Sequence, residues 1–272
     1  MGVNIFLFIR MSGSKTGRRI ETLLLFVVNA LPIAGLIGFG WRPFQALFVY
    51  WVEIGVTLLG YYVVALFGQR DSKPEEKGGG SYPGPVPLPV PGESFRPIRS
   101  LPPLRYRNAR YIPASVPLVA IIWFLLSRAF LDFPNTGVVI EGRPAVESIV
   151  GYIAISYTLE GLVTAAIASV IQLSVLGRDF LSRRLVDQYS AAMLAELPIR
   201  IAGVWFVVLL LLVPVYAGTI VFDIGRGVVG WGFFLLLLGA KLAVDLALLR
   251  LRYEPNPGLF TRLFVPNTRE TA

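Results

Sequence analysis

Six stretches of the chain each run for about 20 residues that are almost all apolar, the length of α-helix that crosses a hydrocarbon layer about 30 Å thick. Few folds accept such stretches. Inside that layer no water satisfies backbone N–H and C=O groups, so each span has to satisfy its own as a helix. Charged residues make up only 15% of the 272 residues, against about 25% in a soluble domain. The expected fold class is an all-α integral membrane protein. It has about six transmembrane helices in three hairpins, plus one cytoplasmic amphipathic surface helix.

The chain divides accordingly. Residues 1–19 form a tail. The first hairpin covers 20–68, its first helix carrying Asn29 and Pro32 at mid-span, where a membrane helix tolerates proline because neighbours satisfy the freed carbonyl. Residues 69–113 form a basic loop that is expected to be disordered. Pro83, Pro85, Pro87, Pro89 and Pro91 alternate there with apolar or glycine residues, a pattern that favours polyproline II over a packed core. The second hairpin covers 114–176. Over 177–200, Leu181, Leu185, Tyr189 and Met193 recur every fourth residue among Arg183, Arg184, Asp187 and Glu196, which reads as a helix lying on the membrane surface. The third hairpin covers 201–249, and 250–272 is a second tail.

Charge sets the expected orientation. The two tails, the proline-rich loop and the 177–200 segment hold twenty of the Lys and Arg residues, whereas the connections on the opposite side hold Arg42, Arg143 and Arg226. By the positive-inside rule both termini face the cytoplasm, and the expected location is the plasma membrane. The net charge of +8 follows from this topology, so nucleic acid is not an expected partner. The expected partners are the bilayer itself and anionic lipid headgroups at the basic segments, with room for a protein partner or a second copy of the chain.

There is no Cys and no His. Disulfides, thiolate catalysis and ordinary zinc sites are thereby excluded, and the commonest general base is missing. Gly55 and Gly60 frame no phosphate loop, because the Lys-Ser/Thr pair is lacking. Asp245 has no second aspartate within a span. With no nucleophile–base set in view, no catalytic residue, cofactor or metal is expected.

The informative polar residues lie inside the spans. Tyr50-Trp51-Val52-Glu53-Ile54-Gly55-Val56-Thr57 and Tyr157-Thr158-Leu159-Glu160-Gly161-Leu162-Val163-Thr164 share the pattern Y-x-x-E-x-x-V-T, 107 residues apart. Each falls in the second helix of a hairpin, and the last helix carries Lys241 and Asp245. At about 1.5 Å per residue, Glu53 lies roughly 12 Å below the outer end of its helix, and Glu160 and Lys241 each roughly 16 Å. Lys241 is therefore expected to meet Glu160, or Glu53 with some tilt, with Asp245 one turn deeper. A charge at mid-bilayer costs about 2.5–3.5 kcal/mol on insertion scales, so these groups have to face inward and pair. Three acids against one lysine leave at least one carboxylate to bind a proton or a cation. Asn29, Tyr50 and Tyr157 are candidate accessory polar groups. The cluster is open to two readings: a proton or cation relay in a small transporter, or a buried ion pair that fixes helix register in a non-catalytic scaffold recruiting partners through its proline-rich loop.

Asn29-x-x-Pro32, then Gly40-Trp41, then Tyr50-Trp51-Val52-Glu53, with Lys241 and Asp245 in the last helix, resemble an uncharacterised family of prokaryotic multi-pass membrane proteins, a domain of unknown function common in archaea. The family pattern often has Asn after the glutamate, where this chain has Ile54. The resemblance covers the helical parts and not the proline-rich loop. It implies a membrane-embedded fold and no established activity, substrate or cofactor.

Overall fold

The structure is a computed structural model. It describes residues 15–72, 85–87, 89, 94–96, 101–132, 158–178, 180, 185–221, 226–253 and 258–265. The long helices are α1 (Lys15–Gly38), α2 (Pro43–Leu66), α3 (Val116–Asp132), α4 (Leu159–Gly177), α6 (Ala191–Val221) and α7 (Arg226–Tyr253). Short helices α5 (Leu185–Gln188) and α8 (Leu259–Arg262) accompany them. Five of these helices contain stretches long and apolar enough to cross a membrane: Arg18–Gly38, Pro43–Leu66, Leu159–Gly177, Ala191–Pro214 and Trp231–Leu251. The apolar part of α3, Val116–Ser127, is shorter.

α2 is the central post. It packs against α1, α3, α4, α6 and α7, and most of its length is buried. Its small residues permit this crowding. A side chain at Gly55 would run into the indole of Trp123 on α3, and one at Gly60 into Leu176 on α4. At the α2–α3 seam Trp51 and Trp123 stack with centroids 4.5 Å apart and planes 2° apart. Each indole N–H donates to the other residue's carbonyl oxygen at 3.1 Å. A stacked apolar pair thus also satisfies its own polar edges, as buried tryptophans require. The outer helix faces carry large apolar side chains in the open, among them Ile121, Val170, Leu210 and Leu235 on the helices around this post and Leu59 on the post itself. An apolar periphery of this extent fits contact with lipid.

Two expectations are corrected here. Residues 191–200 do not form part of a surface helix. They are the first three turns of α6, which continues through Pro198 and Pro214 to Val221. Ala191 to Ile199 are all buried. Of the polar residues that suggested a wet face, Asp187 is exposed, whereas Glu196 is buried and accepts from Arg200 Nε at 2.9 Å and Nη2 at 2.6 Å, one helical turn on. Of the remainder of that segment, Leu185–Gln188 is helical as α5, and 179 and 181–184 lie outside the described residues.

The second correction concerns the proline-rich loop, whose last part is folded. Ser94–Phe95 (β1) pairs antiparallel with Leu104–Arg105 (β2), and a 3₁₀ turn follows over Tyr106–Tyr111. Asn108 is buried there, and its side-chain amide donates to the carbonyls of Ala65 (3.3 Å), Leu66 (3.1 Å) and Gly68 (2.9 Å). A helix end leaves its last carbonyls unpaired, and one asparagine collects them from a segment 40 residues away. Tyr62 Oη adds a 2.9 Å bond to Ser115 Oγ. Replacing Asn108 by Ala removes a buried donor from the carbonyls of Leu66 and Gly68, Ala65 still accepting from the Gly68 N–H, which is expected to destabilise the fold by about 1–3 kcal/mol. Thermal unfolding of the purified protein in detergent checks this; an unchanged transition would show that the carbonyls find other donors.

Candidate functional site

Three of the spans place polar groups at the same depth. Lys241 stands ten residues from either end of the apolar stretch Trp231–Leu251. Glu53 is ten residues from the start of Pro43–Leu66, and Asn29 nine from the end of Arg18–Gly38. Because α1 and α2 run in opposite directions and α7 packs against both, these positions converge. Lys241 Nζ donates to Glu53 Oε1 at 2.8 Å and to Asp245 Oδ2 at 2.5 Å. The second of these spans one turn of α7, the spacing at which helix side chains meet. Asn29 Nδ2 donates to the same Asp245 Oδ2 at 2.9 Å and to the carbonyl of Leu25 at 2.9 Å. Tyr50 Oη donates to the carbonyl of Asn29 at 2.6 Å, and its ring lies 6.0 Å from the Lys241 ammonium.

Exposure decides what this network is. Glu53 is 1% exposed, Lys241 2% and Asp245 8%. Taking each such ion out of water costs several kcal/mol, offset only when the pairing geometry is good and the remaining polar atoms are bonded. One ammonium serves two carboxylates, so with all three ionised the site carries a net charge of −1. Two acceptors in the network, Glu53 Oε2 and Asn29 Oδ1, are buried without a hydrogen-bond partner. Both facts describe a site with room for one more positive charge or donor.

Of the residues expected from the sequence, Glu53, Lys241, Asp245, Asn29 and Tyr50 come together. Glu160 does not. It sits in the first turn of α4, exposed, where Thr158 caps the helix by accepting from the Gly161 N–H at 3.1 Å. An acid there complements the helix dipole and stays close to the helix end. The depth assigned to it assumed a helix starting at 149, whereas α4 starts at Leu159. Tyr157 lies outside the described residues. The two copies of the repeat do share a local bond: Thr57 Oγ1 donates to the Glu53 carbonyl at 2.9 Å, and Thr164 Oγ1 to that of Glu160 at 2.7 Å.

A second buried ion pair was missed. Glu21 of α1 pairs with Arg178 at the end of α4, and both are buried. An acid inside the first apolar span and an arginine just past the fourth were the available signals. Between that pair and the central cluster lies a cavity of about 20 Å³ lined by residues that include Glu21, Gln172 and Asp245. A second cavity of about 10 Å³, lined by residues that include Thr57, Trp205 and Lys241, lies elsewhere around Asp245. Among the described residues no three His, Cys, Asp or Glu side chains converge as a metal site.

A helical bundle with five membrane-length apolar helices and a buried charge cluster midway along three of them is the architecture of a multi-pass membrane protein. The profile of the family of unknown function DUF6498 matches residues 11–257, and the chain belongs to that family. No curated protein and no solved structure matches the chain.

The cluster gives a direct prediction. Lys241→Met leaves two buried carboxylates facing each other and is expected to destabilise the protein by about 3–5 kcal/mol. Adding Glu53→Gln and Asp245→Asn to it removes the uncompensated charge and is expected to restore most of that loss. Melting temperatures of the single and triple variants in detergent test both parts; a triple variant no more stable than the single one would count against electrostatic pairing as the cause.

Proposed function

We propose that this protein is a proton-coupled multi-pass membrane protein, in which Glu53, Lys241 and Asp245 hold one exchangeable proton at mid-bilayer. The observation that carries this reading is the mismatch of one buried ammonium with two buried carboxylates, together with an unpartnered Glu53 oxygen. A proton shared between the carboxylates neutralises the excess charge and supplies a donor in one step. Groups coupled this closely exchange protons as a unit rather than as separate residues. Asn29 and Tyr50 serve as positioning residues, holding α1 against the Asp245 carboxylate. The flanking cavities are of single-water size or smaller, which favours a proton over a hydrated metal cation.

The topology belongs to the same proposal: six spans in three hairpins in the plasma membrane, with both termini and the basic loop in the cytoplasm. The 17 residues of α3 sit at the lower limit, about 17, for a bilayer span. The close packing of the cluster supports a second reading, a static clasp in a non-catalytic scaffold.

Proton flux separates the two. In proteoliposomes under an imposed pH gradient, the wild type is expected to collapse the gradient faster than empty liposomes, and Asp245→Asn to return it to the empty rate while keeping the same elution profile. Asparagine preserves the shape and can still accept from Asn29 and Lys241. Wild-type flux equal to that of empty liposomes, or flux unchanged in the variant, would transfer the cluster to the scaffold reading.

A further inference from the structure

The two cavities that touch Asp245 differ in size and in lining. The larger runs between α1, α4 and α7, from Glu21 past Leu25 and Val28 on one wall and from Leu249 to Asp245 on another, with Gln172 of α4 facing both. Along α1 that is seven residues, or about 10 Å. Its volume of about 20 Å³ exceeds the roughly 10–15 Å³ that one water needs. Its wall offers three polar side chains, Glu21, Gln172 and Asp245, within the two to four partners a buried water requires. The smaller cavity, at about 10 Å³, is bounded by Ile54, Ile201, Trp205, Val244 and Leu248 beside Thr57 and Lys241, and falls at or below that volume.

We infer that the crevice between α1, α4 and α7, which has space for a single water, is the side from which Asp245 exchanges with water, with the Glu21–Arg178 ion pair at its mouth. The mouth lies where α1 begins and α4 and α7 end, the end of the bundle that also carries Arg18, Arg19 and Arg250. Glu21 is 1% exposed and Arg178 7%, so the pair at the mouth is itself buried, and Glu21 belongs to the cavity's polar lining. The groups facing Asp245 are then Lys241 on its own helix, Glu53 on α2, Asn29 on α1 and, through the crevice, Glu21 and Gln172. Glu21 is a positioning residue: it keeps Arg178 over the opening and gives a proton a carboxylate on which to pause. This inference rests on the reading of Asp245 as an exchanging group, and it adds the side from which exchange takes place.

The chain contains no cysteine, so single cysteines report water access without background. Leu25→Cys and Gln172→Cys place a thiol in the crevice, Thr57→Cys in the smaller cavity and Leu235→Cys on the outward face of α7. Silver ion is the probe, because it is small and reacts with thiolates that only water can produce. Protection against later maleimide labelling in denaturant reads the extent of reaction. The two crevice thiols are expected to react at least about ten-fold faster than the other two. Glu21→Gln in the Gln172→Cys background is expected to change that rate, since it releases Arg178 from its partner. Crevice thiols that react no faster than Leu235→Cys would overturn the path. Silver access is read without any flux, so a protein that admits silver but moves no protons would sink the transport reading alone. Flux without silver access would place the path elsewhere.

Discussion

An ammonium group cannot stay in the middle of a bilayer without an anion against it, and that requirement organises the bundle. Lys241 takes its anions from two places, one turn along its own helix and across to α2. The contact to Asp245 is local and would exist in any helix with this spacing. The contact to Glu53 is not local, and it holds α7 against α2 at a single register. A slip by one turn, about 5.4 Å, would carry the ammonium out of reach. Asn29 then adds α1 by donating to the carboxylate oxygen that Lys241 already uses. Three helices from the two ends of the sequence are thus tied at one depth by a handful of atoms, in a solvent that offers no competing partners.

The rest of the bundle is built to let α2 sit at its centre. Interiors of membrane proteins lack the water-driven collapse that packs soluble cores, so close approach and polar bonding carry more of the association. Gly55 and Gly60 allow the indole of Trp123 and the side chain of Leu176 to lie against the backbone of α2. The reciprocal Trp51–Trp123 bonds fix the α2–α3 seam. At the end of α2, Asn108 donates from outside the span to the carbonyls of Ala65, Leu66 and Gly68. α2 therefore has its carboxylate at mid-length, its small residues facing its neighbours and a cap at its end.

What was legible in the sequence follows from which constraints are local. Span positions follow from apolar length, and counting residues along the spans brings Lys241 near the depth of Glu53, though it ranks Glu160 first and gives Asn29 only as an accessory group. Glu160 was misplaced because the repeat it belongs to encodes only a threonine–carbonyl bond within one helix, which both copies keep. Depth depends on where a helix starts, and Thr158 starts this one two residues before the glutamate. Glu196 and Arg200 looked like residues seeking water because a charge pair four residues apart reads the same whether its face is wet or buried. Asn108 was invisible for a different reason: proline content describes the average behaviour of a loop, whereas the fate of this part is decided by one side chain that matches the carbonyls at the end of α2. The Glu21–Arg178 pair joins residues far apart in sequence, and only the packing of α1 against α4 brings them together.

Two of the buried acid–base pairs differ in a way that bears on what the protein can do. Glu196 and Arg200 pair across one turn of a single helix, and Arg200 donates a further N–H to the carbonyl of Leu263, at 3.2 Å, just after α8. Such a pair, with one acid facing one arginine across a helical turn, fits a structural fastener. The central cluster has a surplus carboxylate, an acceptor without a donor, and a polar crevice leading away from it. If its purpose were only to hold helices, one acid would serve Lys241 as well and at a lower desolvation cost. The second acid makes the site costlier to bury, and on the proton-coupled reading proposed above an exchangeable proton is what offsets that cost.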